Sequence, residues 1–165
     1  MDEQIDTTEK IYILDTNILI NFSIWCPMEF NEGFWLKLEK LLEERRWILL
    51  DVVVNEVLYN QKLKSWLKKQ KDKKLVMNID DNVRNRAVEI NSKYPMINNT
   101  GNSTGDTYII AYAEINQLGI FTRESNKDIK DNLYKIPDVC SELNIKYTRH
   151  PRQFMKEIGF QNVQL

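Results

Sequence analysis

Short apolar runs recur along the chain, and each stops abruptly at polar residues. "IYIL" at 11–14, "WILL" at 47–50, "GIFT" at 119–122 and "IKYT" at 145–148 have the length and bulky composition of short buried strands. Between them the apolar spacing changes to that of a helix. Phe34, Leu38, Leu41 and Leu42 share one face of 33–45, and helices are also expected over 51–69, about 80–93 and about 106–117. Asp80 or Asp81 supplies a cap for the helix over 80–93, and Pro151 opens a short C-terminal helix in "PRQFMKEIGF". Parallel neighbouring strands need a crossover, usually a helix, so this alternation predicts an α/β fold: a central parallel sheet of four to five strands flanked by helices. "YPMINNTGNSTG" at 94–105 cannot continue a helix and reads as a mobile surface connection.

Composition narrows the class. The 165 residues suit one domain over 1–165, with the polar segment 1–10 as a flexible start. With 23 Lys+Arg against 24 Asp+Glu the net charge is −1, so any basic surface must be local. No apolar stretch approaches the ~20 residues of a membrane span and the N-terminus lacks a signal-peptide pattern, so a cytoplasmic protein with no membrane partner is expected. Cys26 and Cys140 lack disulfide-framework or zinc spacing and read as packed thiols. The four tryptophans, Trp25, Trp35, Trp47 and Trp66, read as core or interface residues.

Chemistry enters with the acids. In an open parallel sheet, sites form outside the carboxyl ends of the strands. Asp15 ends the first apolar run, and Glu124 follows the run "GIFT" closely. Glu56 sits in the mostly apolar "LDVVVNEVLYN", and Asp106 stands directly before the apolar helix "TYIIAYA". The four acids are expected to converge on one or two Mg²⁺ or Mn²⁺ ions, hard cations that prefer oxygen ligands and relieve carboxylate repulsion. Such an ion can activate a bound water and so give phosphodiester hydrolysis without a histidine; with one histidine, His150, a paired-histidine nuclease mechanism is excluded and a His-rich zinc site nearly so. Asp15 alone would read as a helix cap; the ordered set of four is the signal.

"YILDTNILI", "VVNEVLYN", "GDTYIIAYA" and "GIFTRES", in this order, resemble the acidic motifs of PIN-domain ribonucleases, over nearly the whole chain from about residue 11. The tail "KIPDVCSELNIKYTRHPRQFMKEIGF" resembles a PIN-like subfamily of unassigned function from prokaryotic genomes. The resemblance implies a PIN-like fold and a metal-dependent endoribonuclease akin to the VapC-type toxins of toxin–antitoxin pairs, with an antitoxin protein as partner and homodimers common among such relatives. It carries the metal-binding role to Asp15, Glu56 and Asp106. Thr16 and Asn17 match the polar pair after the first Asp, and Thr122 matches the residue that supports the first carboxylate. The family pattern follows this Thr with Arg and Asp, whereas here Arg123 is followed by Glu124, one methylene longer. Glu124 is therefore expected to be a secondary or water-mediated ligand.

"QKLKSWLKKQKDKK" at 61–74 contains seven lysines and one Asp. It reads equally well as a solvated helix face and as a phosphate-binding surface. In an RNA-cutting protein Lys62, Lys64, Lys68 and Lys69, with Arg84, Arg86 and Arg123, are the candidates for RNA contacts. The alternative class is a catalytically weak PIN-fold module that binds RNA or protein, suggested by Glu124 in place of Asp. A metal-dependent phosphatase fits less well, because Asp15 is followed by Thr16 and Asn17 rather than by a second acid.

Overall fold

The computed structural model describes residues 11–96, 105–125 and 133–165. The expected flexible start at 1–10 and most of the connection at 94–105 lie outside the described residues. Five strands, β1 (Tyr12–Leu14), β2 (Trp47–Leu50), β3 (Val76–Met77), β4 (Gly119–Phe121) and β5 (Tyr147–Thr148), form one sheet in the order β3-β2-β1-β4-β5. Every pairing is parallel, and Ile13 stands opposite Ile48 on one side and Ile120 on the other. The helices are α1 (Thr16–Trp25), α2 (Glu32–Glu43), α3 (Asp51–Glu56), α4 (Gln61–Asp72), α5 (Asp81–Lys93), α6 (Gly105–Asn116), α7 (Ile136–Leu143) and α8 (Pro151–Ile158). The expected α/β class with a parallel sheet is what the chain adopts.

A sheet covered on both faces has no wet side, so its central strands are apolar at every position rather than at alternate ones. Tyr12, Ile13 and Leu14 are all buried, as are Ile120 and Phe121 beside them. Burial extends to the aromatic helix residues: Trp66 of α4 stacks parallel to Trp47 at 6.4 Å and meets Trp35 of α2 edge-on at 5.3 Å. The indole N–H groups of Trp47 and Trp35 donate to the carbonyls of Leu38 and Cys26, so neither buried donor is wasted. Gly119 is glycine for steric reasons, since a Cβ there would stand 2.7 Å from Cε1 of the Tyr12 ring.

The strand order reverses at β1. The chain lays down β2 and β3 outward on one side, then returns to place β4 on the other. The crevice at the carboxyl ends of β1 and β4 is therefore the topological switch point, where open α/β sheets collect ligands. Four helices return to the sheet through one repeated device. Arg45, Lys74, Gln117 and Asn144 each take a left-handed conformation, with φ of 58°, 62°, 56° and 57°. The residue after each donates back five positions: Arg46 to Leu41, Leu75 to Gln70, Leu118 to Ala113 and Ile145 to Cys140. These are Schellman closures built without the usual glycine, at roughly 1–2 kcal/mol each for the left-handed backbone.

Three elements depart from the hydrophobic pattern. The single helix expected over 51–69 is two helices, α3 and α4, separated at 57–60. Val52, Val53 and Val54 are β-branched poor helix formers, and the Asn60 side chain caps α4 by accepting from the Leu63 N–H (3.0 Å). β3 is only two residues long and leaves no periodic trace. α7 lies over a stretch to which the pattern assigns no element.

Candidate active site

Asp15 is the first residue beyond β1, and its backbone N–H still donates to the carbonyl of Phe121 (3.0 Å), which clamps it between β1 and β4. Its carboxylate caps α1 by accepting from the Asn17 N–H (3.4 Å), while its other oxygen accepts from the Thr122 hydroxyl (3.0 Å). The cap and the site are the same side chain. Thr122 is fully buried, and its oxygen in turn accepts from the Glu124 N–H (3.1 Å). With that lone pair engaged, the hydroxyl proton is directed at Asp15.

Glu124 is held from the other direction. Its Oε2 accepts from the Ile136 N–H (3.0 Å) in the first turn of α7, a helix end whose free N–H groups favour an anion. Asp106 stands in the first turn of α6, hydrogen-bonded to Glu124. Carboxylate oxygens of Asp15, Asp106 and Glu124 all lie within 4.8 Å of one another. Glu56, the last residue of α3, is spoken for by the Thr16 hydroxyl (2.6 Å) and the Gly105 N–H (3.1 Å), tying the start of α1 to the start of α6. It stands close enough for its charge to act on both aspartates. The structure thus gathers Glu124, rather than Glu56, with Asp15 and Asp106.

A family model described as a domain of unknown function, DUF4411, matches residues 12–161. The chain belongs to the DUF4411 family. That membership agrees with the resemblance of the tail to a subfamily of unassigned function. No curated protein matches the chain. Among solved structures it is similar to FitAcB from Neisseria gonorrhoeae, with 20% identity over 84% of this chain and 96% of that one at a TM-score of 0.47. It is also similar to a toxin–antitoxin complex from Klebsiella pneumoniae (18% identity, 76% and 97% of the two chains, TM-score 0.46). A third is VapBC2 from Rickettsia felis bound to a DNA fragment from their promoter (17% identity, 84% and 97%, TM-score 0.47).

In this DUF4411 chain two of the three carboxyls, Asp15 and Asp106, are at odds with their surroundings. Burial pushes Asp15 up to about 6, and the charges of Glu124 and Glu56 push the same way against the Thr122 and Asn17 hydrogen bonds. Burial again leads at Asp106, which rises to about 9 with the charges of Asp15, Glu124 and Glu56 adding to it. Every charged neighbour acting on these two groups is an acid. A divalent cation fits such a site on two counts: the donors are all oxygen, and its positive charge relieves their mutual repulsion.

The expected RNA-contacting residues are dispersed in their roles. Lys62 pairs with Glu29, Lys69 with Glu39 (3.2 Å) and Arg84 with Asp81 (3.1 Å). Arg86 joins α5 to α6 by a forked contact with Glu114 (2.9 Å for its Nη2) and also reaches Glu89 (3.0 Å). Lys64 and Lys68 are exposed on α4 without an ion-pair partner among the described residues. Arg123 lies over the ring of Trp25, at 4.9 Å. Trp25 itself is half exposed, not a core residue like the other three tryptophans, because it falls at the solvent end of α1. Sequence reasoning also passes over the Ile136 and Gly105 N–H groups, since a backbone donor carries no side-chain signature. Cys26 and Cys140 are both free thiols, with Cys140 buried.

Proposed function

We propose that this protein is a Mg²⁺- or Mn²⁺-dependent endoribonuclease of the PIN type, the toxin of a toxin–antitoxin pair. The observation that carries the reading is the convergence of Asp15, Asp106 and Glu124 at the switch point of the sheet, where the charged neighbours acting on the two aspartates are acids. The ordered motif resemblance supplies the reaction class, and it also implies the antitoxin partner.

Asp15, Asp106 and Glu124 would hold the ion, with Glu56 beside them as a further negative charge. When bound, a divalent ion supplies a water of lowered pKa and polarises a phosphoryl oxygen. The chain does the rest. The relay from the Glu124 N–H through Thr122 to Asp15 fixes the Asp15 carboxylate against β4. The Ile136 N–H holds the longer Glu124 side chain in reach of the aspartates, which supports a ligand role for it in place of the family's Asp. Thr16 and Gly105 orient Glu56 and keep the two helix starts together. Lys64, Lys68 and Arg123 remain available for phosphates outside the acidic centre.

The test is cleavage of RNA by purified protein with Mn²⁺, set beside Asp15→Asn and Asp106→Asn. Mn²⁺ binding is measured independently by calorimetry. Cleavage and Mn²⁺ binding that both fail in the two variants support the reading. Cleavage that persists in Asp106→Asn assigns the activity to something other than this site. Stable co-purification with the product of the adjacent reading frame, lost when that product is absent, tests the toxin role.

A further inference from the structure

Three of the four tryptophans are buried, with Trp35, Trp47 and Trp66 at 3%, 0% and 9% exposure; Trp25 stands at 51%. The Arg123 guanidinium lies 4.9 Å from the centre of its ring. Among the described residues no carboxylate pairs with Arg123, although it is the immediate chain neighbour of Glu124. A hydrogen bond from Asn60 Nδ2 to Ser23 Oγ (2.8 Å) fastens the 57–60 connection beside the end of α1. Leu58 and Tyr59 of that connection are 59% and 92% exposed, and Ile24 at the end of α1 is 65% exposed. A half-exposed indole, with a guanidinium over its ring that pairs with no carboxylate among the described residues, is thus tied to the residue next to Glu124 of the carboxylate cluster.

We infer that Trp25 and Arg123 form a subsite that holds an unpaired nucleobase of RNA bound at the neighbouring site. This rests on the nuclease reading of the neighbouring site. Each feature has a reason in that ligand. A base offers a π-face of any sequence to the indole, and the guanidinium both stacks and carries donors for the adjoining phosphate. The acidic cluster repels a phosphate chain, so a cation beside it must draw the strand in. A purely apolar segment of a protein partner would make no use of the guanidinium. In a duplex the base faces are already stacked, so paired RNA gains nothing from Trp25.

The experiment measures binding of a labelled unstructured RNA dodecamer, and of the same strand annealed to its complement, to full-length protein in EDTA so that nothing is cleaved. Trp25→Leu keeps apolar volume and removes the flat ring; Trp25→Phe keeps a ring. Trp25→Leu and Arg123→Ala are expected to weaken single-strand binding about fivefold or more, with Trp25→Phe restoring most of it and duplex binding unmoved by Trp25→Leu. In the wild type, saturating single strand should shield Trp25 from acrylamide quenching. Single-strand binding unchanged in Trp25→Leu, or equal losses for single strand and duplex, overturns the proposal; the former is also the result if a protein partner covers this surface. The two readings separate cleanly. Trp25-dependent binding without Mn²⁺-dependent cleavage keeps the subsite and removes the nuclease, and cleavage of single strand unaffected by Trp25→Leu does the reverse.

Discussion

Glu39 and Asp15 are carboxylates withdrawn from water to nearly the same extent, 5% and 2% exposed, and their surroundings treat them in opposite ways. Glu39, on α2, receives Lys69 (3.2 Å) and Lys73 from the end of α4. Burial raises its pKa, but the hydrogen bonds and charges of the two lysines outweigh this and hold it below the ordinary carboxylate range. Asp15 has Glu124 and Glu56 for neighbours and is pushed up instead. A buried acid among bases is completed by the fold, whereas a buried acid among acids is completed only by something from outside. Burial alone does not separate structure from function; the sign of the company does.

The comparison breaks most visibly in activity. Asp106→Asn should abolish Mn²⁺-dependent RNA cleavage, by more than the ~10–100-fold that loss of a supporting residue costs. Glu39→Gln should leave the rate unchanged. Equal losses in the two variants would mean that the acidic cluster has no special role. Support of Asp15 comes next in size. Thr122→Val removes the hydroxyl that Asp15 accepts, and Mn²⁺ affinity by calorimetry should fall about 10–100-fold, with Thr122→Ser close to wild type.

Titration sharpens the same contrast. Asp15 at about 6 and Asp106 at about 9 bind protons in the folded chain that ordinary carboxyls near ~4 have already lost in the unfolded one. Metal-free stability should therefore fall as pH rises from about 4 towards 9, by roughly 3 kcal/mol from Asp15 alone. Asp106→Asn should flatten that fall, and Mn²⁺ should raise the wild-type Tm more at pH 8 than at pH 5. A metal-free Tm that climbs across this range would contradict the assignment. Glu39 runs the other way: its folded pKa is lowered, so its contribution is present above ~4 and lost as pH drops through the folded value. Glu39→Gln should cost about 1–2 kcal/mol at pH 7 in urea melts, and less at pH 3. The smallest effect belongs to the surface lysines. Lys64→Ala with Lys68→Ala should lower the salt slope of RNA binding by about 1–2 with no change in Tm.

All the strands but β3, and most of the helices, were legible because burial on both sheet faces forces continuous apolar runs, and one-sided burial forces helical spacing. The acids were legible as well, since an ionisable group directly after such a run has no reason to be there on packing grounds. The helix ends were harder: Arg45, Lys74, Gln117 and Asn144 take left-handed backbone without glycine, so no residue type marks the closures. The break at 57–60 hides inside an apolar stretch for the same reason.

What the sequence by itself determined was the alternation of strand and helix, and with it the parallel sheet and the edge on which Asp15, Asp106 and Glu124 had to appear. Local periodicity and the crossover requirement suffice for that. Which acids meet was decided by tertiary structure. Glu56 is turned to Thr16 and Gly105, while Glu124 is drawn in by the Ile136 N–H of a helix twelve residues further along the chain. The placing of Trp25 under Arg123 is of the same kind. A side chain's partner across the fold depends on where separate elements pack, and hydrogen bonds to backbone N–H groups are written in no residue's identity.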